Sequence, residues 1–111
     1  MEISFKSRKL QKIFNREKGL NRVYGSNMAK KVKNRIALLD AAENLEDVPT
    51  ISSCRCHELG QNRKGQFTVD LEHPYRLVFR PNHNPLPRKA DGGLDLRKIT
   101  NIMILEVEDY H

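Results

Sequence analysis

The chain has 111 residues, 38% apolar and 31% charged, with no tryptophan and a net charge of +6. That length supports one hydrophobic core rather than two, and that composition excludes a disordered chain. No apolar run approaches the roughly 20 residues that cross a bilayer, and Met1-Glu2-Ile3-Ser4-Phe5-Lys6 lacks the apolar stretch of a secretory signal. A cytoplasmic, single-domain protein over residues 1–111, with no membrane partner, is therefore expected.

The positive charge is concentrated at one end. Residues 1–40 hold eleven basic and three acidic side chains, a net +8, and the remaining residues are slightly acidic. Such a split points to a polyanionic partner or an acidic protein partner.

Ile3 and Phe5 alternate with polar neighbours and predict a short first strand. Ser7 is placed to cap a helix with Leu10, Ile13 and Phe14 on one face, and Gly19 is its expected stop. A second helix is expected from about Val23 to Glu43. Met28, Val32, Ile36 and Leu39 form its apolar stripe, and Lys30, Lys31, Lys33 and Arg35 fall largely away from it. Asn44 to Ser53, with Pro49, reads as a connector.

Strand patterns follow. Cys54 to Leu59 is a candidate strand, and Gly60 to Gly65 a turn in which glycine supplies positive φ. Phe67, Val69 and Leu71 alternate as a second strand, and His73-Pro74 makes a corner. Tyr75 to Arg80 is a third, with Leu77 and Phe79 on one side and Arg76, Val78 and Arg80 on the other. Three prolines and two glycines make residues 81–98 an inserted loop. Ile99 to Val107 closes the pattern as a strand rich in β-branched residues. The predicted fold is α+β, with two N-terminal helices packed on a twisted antiparallel β-sheet.

Chemistry-bearing groups collect in the second half. His57, Arg63, Lys64, Arg76, Arg80, Asp109, Tyr110 and His111 fall on or beside the predicted strands. Metal-independent RNA cleavage uses this inventory: a base to take the ribose 2′-OH proton, an acid for the leaving oxygen, and cations for the charge on phosphorus. Histidine titrates near working pH, and the arginine fork fits phosphate oxygens. Cys54 and Cys56 read as reduced, packed thiols. With His57 alone beside them they fall short of a four-ligand zinc site, so no metal or other cofactor is expected.

The segments His57-Glu58-Leu59, Arg63, Gly65 and Phe67, Tyr75-Arg76-Leu77-Val78-Phe79 and Glu108-Asp109-Tyr110-His111, with the opening Ile3 to Leu10, resemble the RelE/ParE toxin superfamily. Within it they are most similar to the HigB-like branch of type II toxin–antitoxin systems. The resemblance implies an endonuclease acting on messenger RNA in the ribosomal A site. It also implies contact with 16S and 23S ribosomal RNA through the basic helices, and a cognate helix-turn-helix antitoxin. It assigns acid–base work to His57, Asp109 and His111, base stacking or phosphate orientation to Tyr110, and phosphate binding to Arg76, with Arg63, Lys64 and Arg80 in support. Two departures stand out. Gly60 and Gln61 occupy positions where the family often has a basic residue and a glycine, and the 81–98 loop is longer than the usual hairpin. The rival readings are a ParE-like toxin that binds DNA gyrase without cutting RNA, and a catalytically silent regulator that binds nucleic acid or antitoxin.

Overall fold

The computed structural model describes residues 1–52 and 54–109, apart from the side chain of Glu17. The chain runs β1 (Glu2–Phe5), α1 (Arg8–Asn15), α2 (Glu17–Tyr24), α3 (Ser26–Ala41), β2 (His57–Glu58), β3 (Phe67–Asp70), β4 (Tyr75–Pro81) and β5 (Asn101–Asp109). Among the described residues five strands form one sheet, in the order β1-β5-β4-β3-β2. Strands β2 to β5 pair antiparallel, as the alternating patterns predict. The α+β layout is present, but the sheet is mixed, because β1 pairs with β5 in parallel. The helices between them give the chain the long crossover that a parallel neighbour needs.

The expected pair of helices is a set of three among the described residues. Ser7 caps α1 as predicted, its Oγ accepting from the Leu10 amide at 3.1 Å. The helix then ends at Asn15, four residues before the glycine expected to end it, with Arg16 extended. Gly19 lies inside α2, where an added Cβ would sit 2.8 Å from the Ile13 carbonyl oxygen. It is there for the close approach of α1 and α2. The true break is Gly25, whose φ of +83° suits glycine and separates α2 from α3.

Helix α3 buries Met28, Val32 and Leu39 as its stripe predicts, but Ile36 is only half-buried, and Ala29 and Arg35 are buried with the others. Positions 32, 35 and 39 are spaced for one helix face, so Arg35 belongs to the core-facing stripe. Its Nε donates to the Asp70 carbonyl at 2.7 Å, which gives the buried guanidinium a partner.

One face of the sheet packs on the helices. Phe67, Val69, Leu77, Phe79, Ile102 and Ile104 join Val32 and Leu39 in a single apolar cluster. A β-bulge makes this possible on β5. Val78 pairs with Glu106 and Phe79 with Ile104, so Leu105 is the extra residue. Val107 and Ile104, three apart, both reach the core side.

The expected strand over Cys54 to Leu59 contracts to His57–Glu58. Arg55 takes φ +44° and kinks the extended backbone, although the Cys54 carbonyl still accepts from the Asp70 amide. Cys54 and Cys56 are free, buried thiols. Burial, then the neighbouring Cys54, pushes the Cys56 thiol up to about 12, so it stays protonated and unreactive. In the 60–65 turn Gly65 has the positive φ expected, +96°, and Gln61 rather than Gly60 supplies the other. The 81–98 segment holds a small hairpin bridged at Arg88 and Leu94, then a 3-10 turn at Leu96–Lys98. Leu94 and Leu96 pin it to the core.

Candidate functional site

The helix-free face of the sheet carries the polar alternates of the same strands. Residues directly opposite one another share a face. One row across it is therefore His57, Thr68, Val78 and Glu106, and the next is Asp70, Arg76 and Glu108. Thr68 and Val78 have no solvent exposure, yet Val78 lies outside the apolar core cluster. The polar face is thus built over a dry floor. The Thr68 Oγ1 has no hydrogen-bond partner among the described residues.

Glu108 is the hub of that face. Its Oε2 accepts from Arg76 Nε at 2.7 Å and lies 2.6 Å from Arg76 Nη2, and its Oε1 accepts from Arg63 Nη1 at 2.6 Å. Arg63 is also fixed through Nε to Gln66 Oε1 at 3.1 Å. Arg76 reaches the hub from β4 because it stands directly opposite Glu108, and Arg63 reaches it from the turn after β2. Partial burial pushes the Glu108 carboxyl upward. Hydrogen bonds from Arg76 and Arg63, and their positive charge, outweigh that and hold it below the usual carboxylate range. The result is two guanidiniums gathered on one carboxylate, an arrangement suited to a phosphate group.

His57 stands on the same face at the β2 edge. Its Nδ1 lies 3.0 Å from the Arg55 carbonyl, which can only accept, so the neutral ring carries its proton on Nδ1. The Nε2 lone pair then remains available to take a proton. Two strand spacings, roughly 10 Å, separate the β2 and β4 backbones across the sheet.

The remaining sequence-predicted residues are more dispersed. Arg80 shares the face with Arg76 but lies four residues farther along β4, where its Nη2 contacts the Met103 sulfur at 3.4 Å. Lys64 is exposed on the other side of the turn that supplies Arg63, lining a cavity against the 81–98 loop. Asp109 ends β5 opposite Tyr75, one position past Glu108 and so alternating away from the Arg76 row. Tyr110 and His111 lie outside the described residues. The residue that sequence reasoning left without a role is Glu108. Its signal was register: once β4 and β5 are paired, it faces Arg76 directly. Among the described residues no group of three His, Cys, Asp or Glu side chains is arranged to hold a metal ion. No helix among them is long and apolar enough to cross a membrane.

The chain is similar in fold to two solved structures. One is a YoeB/ParE toxin from Agrobacterium tumefaciens, with 9% identity, a TM-score of 0.58 and all of both chains covered. The other is a YoeB dimer from Staphylococcus aureus, with 15% identity and a TM-score of 0.57, over all of this chain and 97% of that one. No curated protein sequence matches the chain. A family model described as the RelE-like toxin HigB of type II toxin–antitoxin systems matches residues 3–86, from β1 into the long loop. The chain therefore belongs to the HigB-like family of RelE-like type II toxins.

Proposed function

We propose that the helix-free sheet face cleaves messenger RNA on the ribosome. The observation that carries this reading is the Arg63–Glu108–Arg76 cluster on the same face as a histidine with an available Nε2. In this reading His57 Nε2 takes the proton from a ribose 2′-OH, and the 2′ oxygen attacks the adjacent phosphorus. The 5′ oxygen departs with a proton from the acid, leaving a 2′,3′-cyclic phosphate and a 5′-hydroxyl. Arg76 and Arg63 bind the phosphate and stabilise the extra negative charge as the phosphorus becomes five-coordinate. His111 is the acid, Asp109 supports the proton transfers, and Tyr110 stacks on a base beside the scissile bond. Lys64 and Arg80 hold flanking phosphates. No step uses a metal.

The site is open, so the protein alone does little to orient a flexible RNA. A message held in the ribosomal A site is already positioned, and the ribosome supplies the entropy loss that the small protein does not. The basic surface of α1 to α3, where Lys9, Lys12, Lys30 and Lys31 are exposed, is the face that meets 16S and 23S ribosomal RNA. As a type II toxin the protein has a cognate antitoxin, here proposed to be a helix-turn-helix repressor.

Induced expression should arrest growth, and purified ribosomes carrying a message should yield cut fragments with the wild-type protein. His111→Ala should remove both effects. Sustained growth with folded, soluble toxin present would overturn the reading. Inhibition of gyrase supercoiling without message cleavage would replace it with the gyrase-binding alternative.

A further inference from the structure

The segment Cys54-Arg55-Cys56 interrupts the sheet just before His57, and the hydrogen bonds around the interruption are connected. The Leu59 amide donates to the Gln66 carbonyl at 2.8 Å, and His57 stands opposite Thr68. Bonded pairs recur at every second residue of an antiparallel ladder. Continued regularly, this ladder would set Arg55 opposite Asp70 and engage the Arg55 carbonyl with the Asp70 amide. Instead the Asp70 amide donates to the Cys54 carbonyl at 2.8 Å, so Cys54 and Arg55 together stand against one residue. This bulge releases two carbonyls from the ladder. The Arg55 carbonyl accepts from His57 Nδ1 at 3.0 Å, and the Asp70 carbonyl accepts from the buried Arg35 Nε at 2.7 Å.

Arg55 is held in this conformation from several directions. Its φ of +44° lies in the left-handed region, where a residue with a Cβ is strained. Cys54 and Cys56 on either side are buried, and the Cys56 amide donates to the Pro49 carbonyl at 2.9 Å. The Arg55 side chain is tied by an ion pair, its Nε lying 3.3 Å from Asp70 Oδ2. Asp70 is therefore the junction. Its amide holds Cys54, its carboxylate holds Arg55, and its carbonyl ties the strand to Arg35 of α3. The two cysteines act here as buried anchors flanking the one residue whose carbonyl meets the His57 ring.

We propose that Arg55 and Asp70 are positioning residues for His57: their ion pair holds the left-handed Arg55 peptide so that its carbonyl fixes the Nδ1–H tautomer and leaves Nε2 as the acceptor. A free histidine side chain favours the other tautomer, with its proton on Nε2. The bond made by one ring nitrogen decides which nitrogen carries the proton, so the Arg55 carbonyl reverses that preference. The effect on the ring stands by itself, whereas its consequence for catalysis rests on the ribonuclease reading.

The test uses the full chain with isotope-labelled histidine, the His57 signals being assigned by their loss in His57→Ala. Proton–nitrogen correlation spectra at about pH 8.5, where an ordinary imidazole is neutral, report the tautomer directly. Wild type should show His57 protonated on Nδ1. Asp70→Ala and Arg55→Ala should each lose that preference, and Arg55→Lys, which keeps the ion pair, should retain it. The Arg55 side chain is 59% exposed, so its truncation spares the core. In ribosome-programmed cleavage the two alanine variants should lower kcat by about 10- to 100-fold, less than loss of the base itself, with KM within about twofold. Asp70→Ala is the sharper variant, because it leaves the Arg55 cation in place. If both alanine variants keep the wild-type tautomer, the proposal is overturned whatever their cleavage rates. If Asp70→Ala cuts normally and Arg55→Ala raises only KM, Arg55 is a phosphate ligand and the proposal fails. If the tautomer shifts but the wild type cuts no RNA, the positioning stands and the cleavage reading alone falls.

Discussion

Leu77 and Phe79 leave β4 toward the helices, whereas Arg76, Val78 and Arg80 leave it toward the open side. Alternate residues of one strand thus serve two environments. On the helix side, Leu77 and Phe79 are fully buried in a cluster that spans α3 and three strands. On the other side, Arg76 is tied to Glu108, and only Val78 and Thr68 beneath are dry. The contrast teaches that stability and chemistry are separable here at the level of odd and even positions. The period-2 geometry of a strand makes that separation automatic.

The largest expected effect lies on the open face. His57→Ala should lower message cleavage by about 10²- to 10⁴-fold, the usual contribution of a positioned acid or base. Its melting temperature should match wild type, because the side chain is exposed. Equal activity in this variant, measured with purified ribosomes, would break the division of labour between the two faces.

Leu77→Ala makes the reciprocal change on the helix side. Loss of a fully buried leucine should cost about 2–5 kcal/mol in denaturant unfolding. Cleavage per folded molecule should survive. If activity fell while stability held, the two faces would be coupled after all.

Glu108→Gln sits between these cases, because Glu108 belongs to the open face and also neutralises two arginines. It should destabilise the protein by about 1–3 kcal/mol at neutral pH, the range for removing one partner from a poorly exposed hydrogen-bonded pair. The pH dependence has a definite sign. The folded carboxyl of Glu108 titrates below its unfolded value. Its contribution is therefore present above the ordinary carboxylate range and is lost as pH falls through the lowered folded value. Stability curves of wild type and variant should converge in acid. A constant gap down through that range would mean that the arginine contacts contribute nothing to stability.

Gly19→Ala probes the N-terminal packing. Its new Cβ would be driven against the Ile13 carbonyl, backbone that yields little, at a cost of about 1–3 kcal/mol. Arg80→Ala should be the mildest change, within about 0.5 kcal/mol in stability, because this arginine is exposed and away from the hub.

Local chemistry in the sequence made much of this fold readable. The Ser7 cap, the stripe of Met28, Val32 and Leu39, and the alternation through β4 each reflect interactions within a few residues. What was not readable depends on distant neighbours. Gly19 looks like a stop until Ile13 is known to lie against it, and Arg35 looks like a surface cation until Asp70 supplies its acceptor. The parallel placement of β1 beside β5 joins the two ends of the chain, and no local pattern encodes it. The site divides in the same way. His57 and Arg76 were identifiable by residue type and resemblance, and their shared face follows from register. Glu108 acquires its role only when Arg63 and Arg76 converge on it from separate elements.

The proposed cut on this face runs through the neighbouring ribose hydroxyl. The most direct measurement places a single 2′-deoxy nucleotide at the mapped cleavage position of a ribosome-bound message and follows the fragments. Fragments ending in a 2′,3′-cyclic phosphate are expected from the all-ribose message, and no cut at the deoxy position. Equal cutting of both messages, or fragments that never carry a cyclic phosphate, would contradict it.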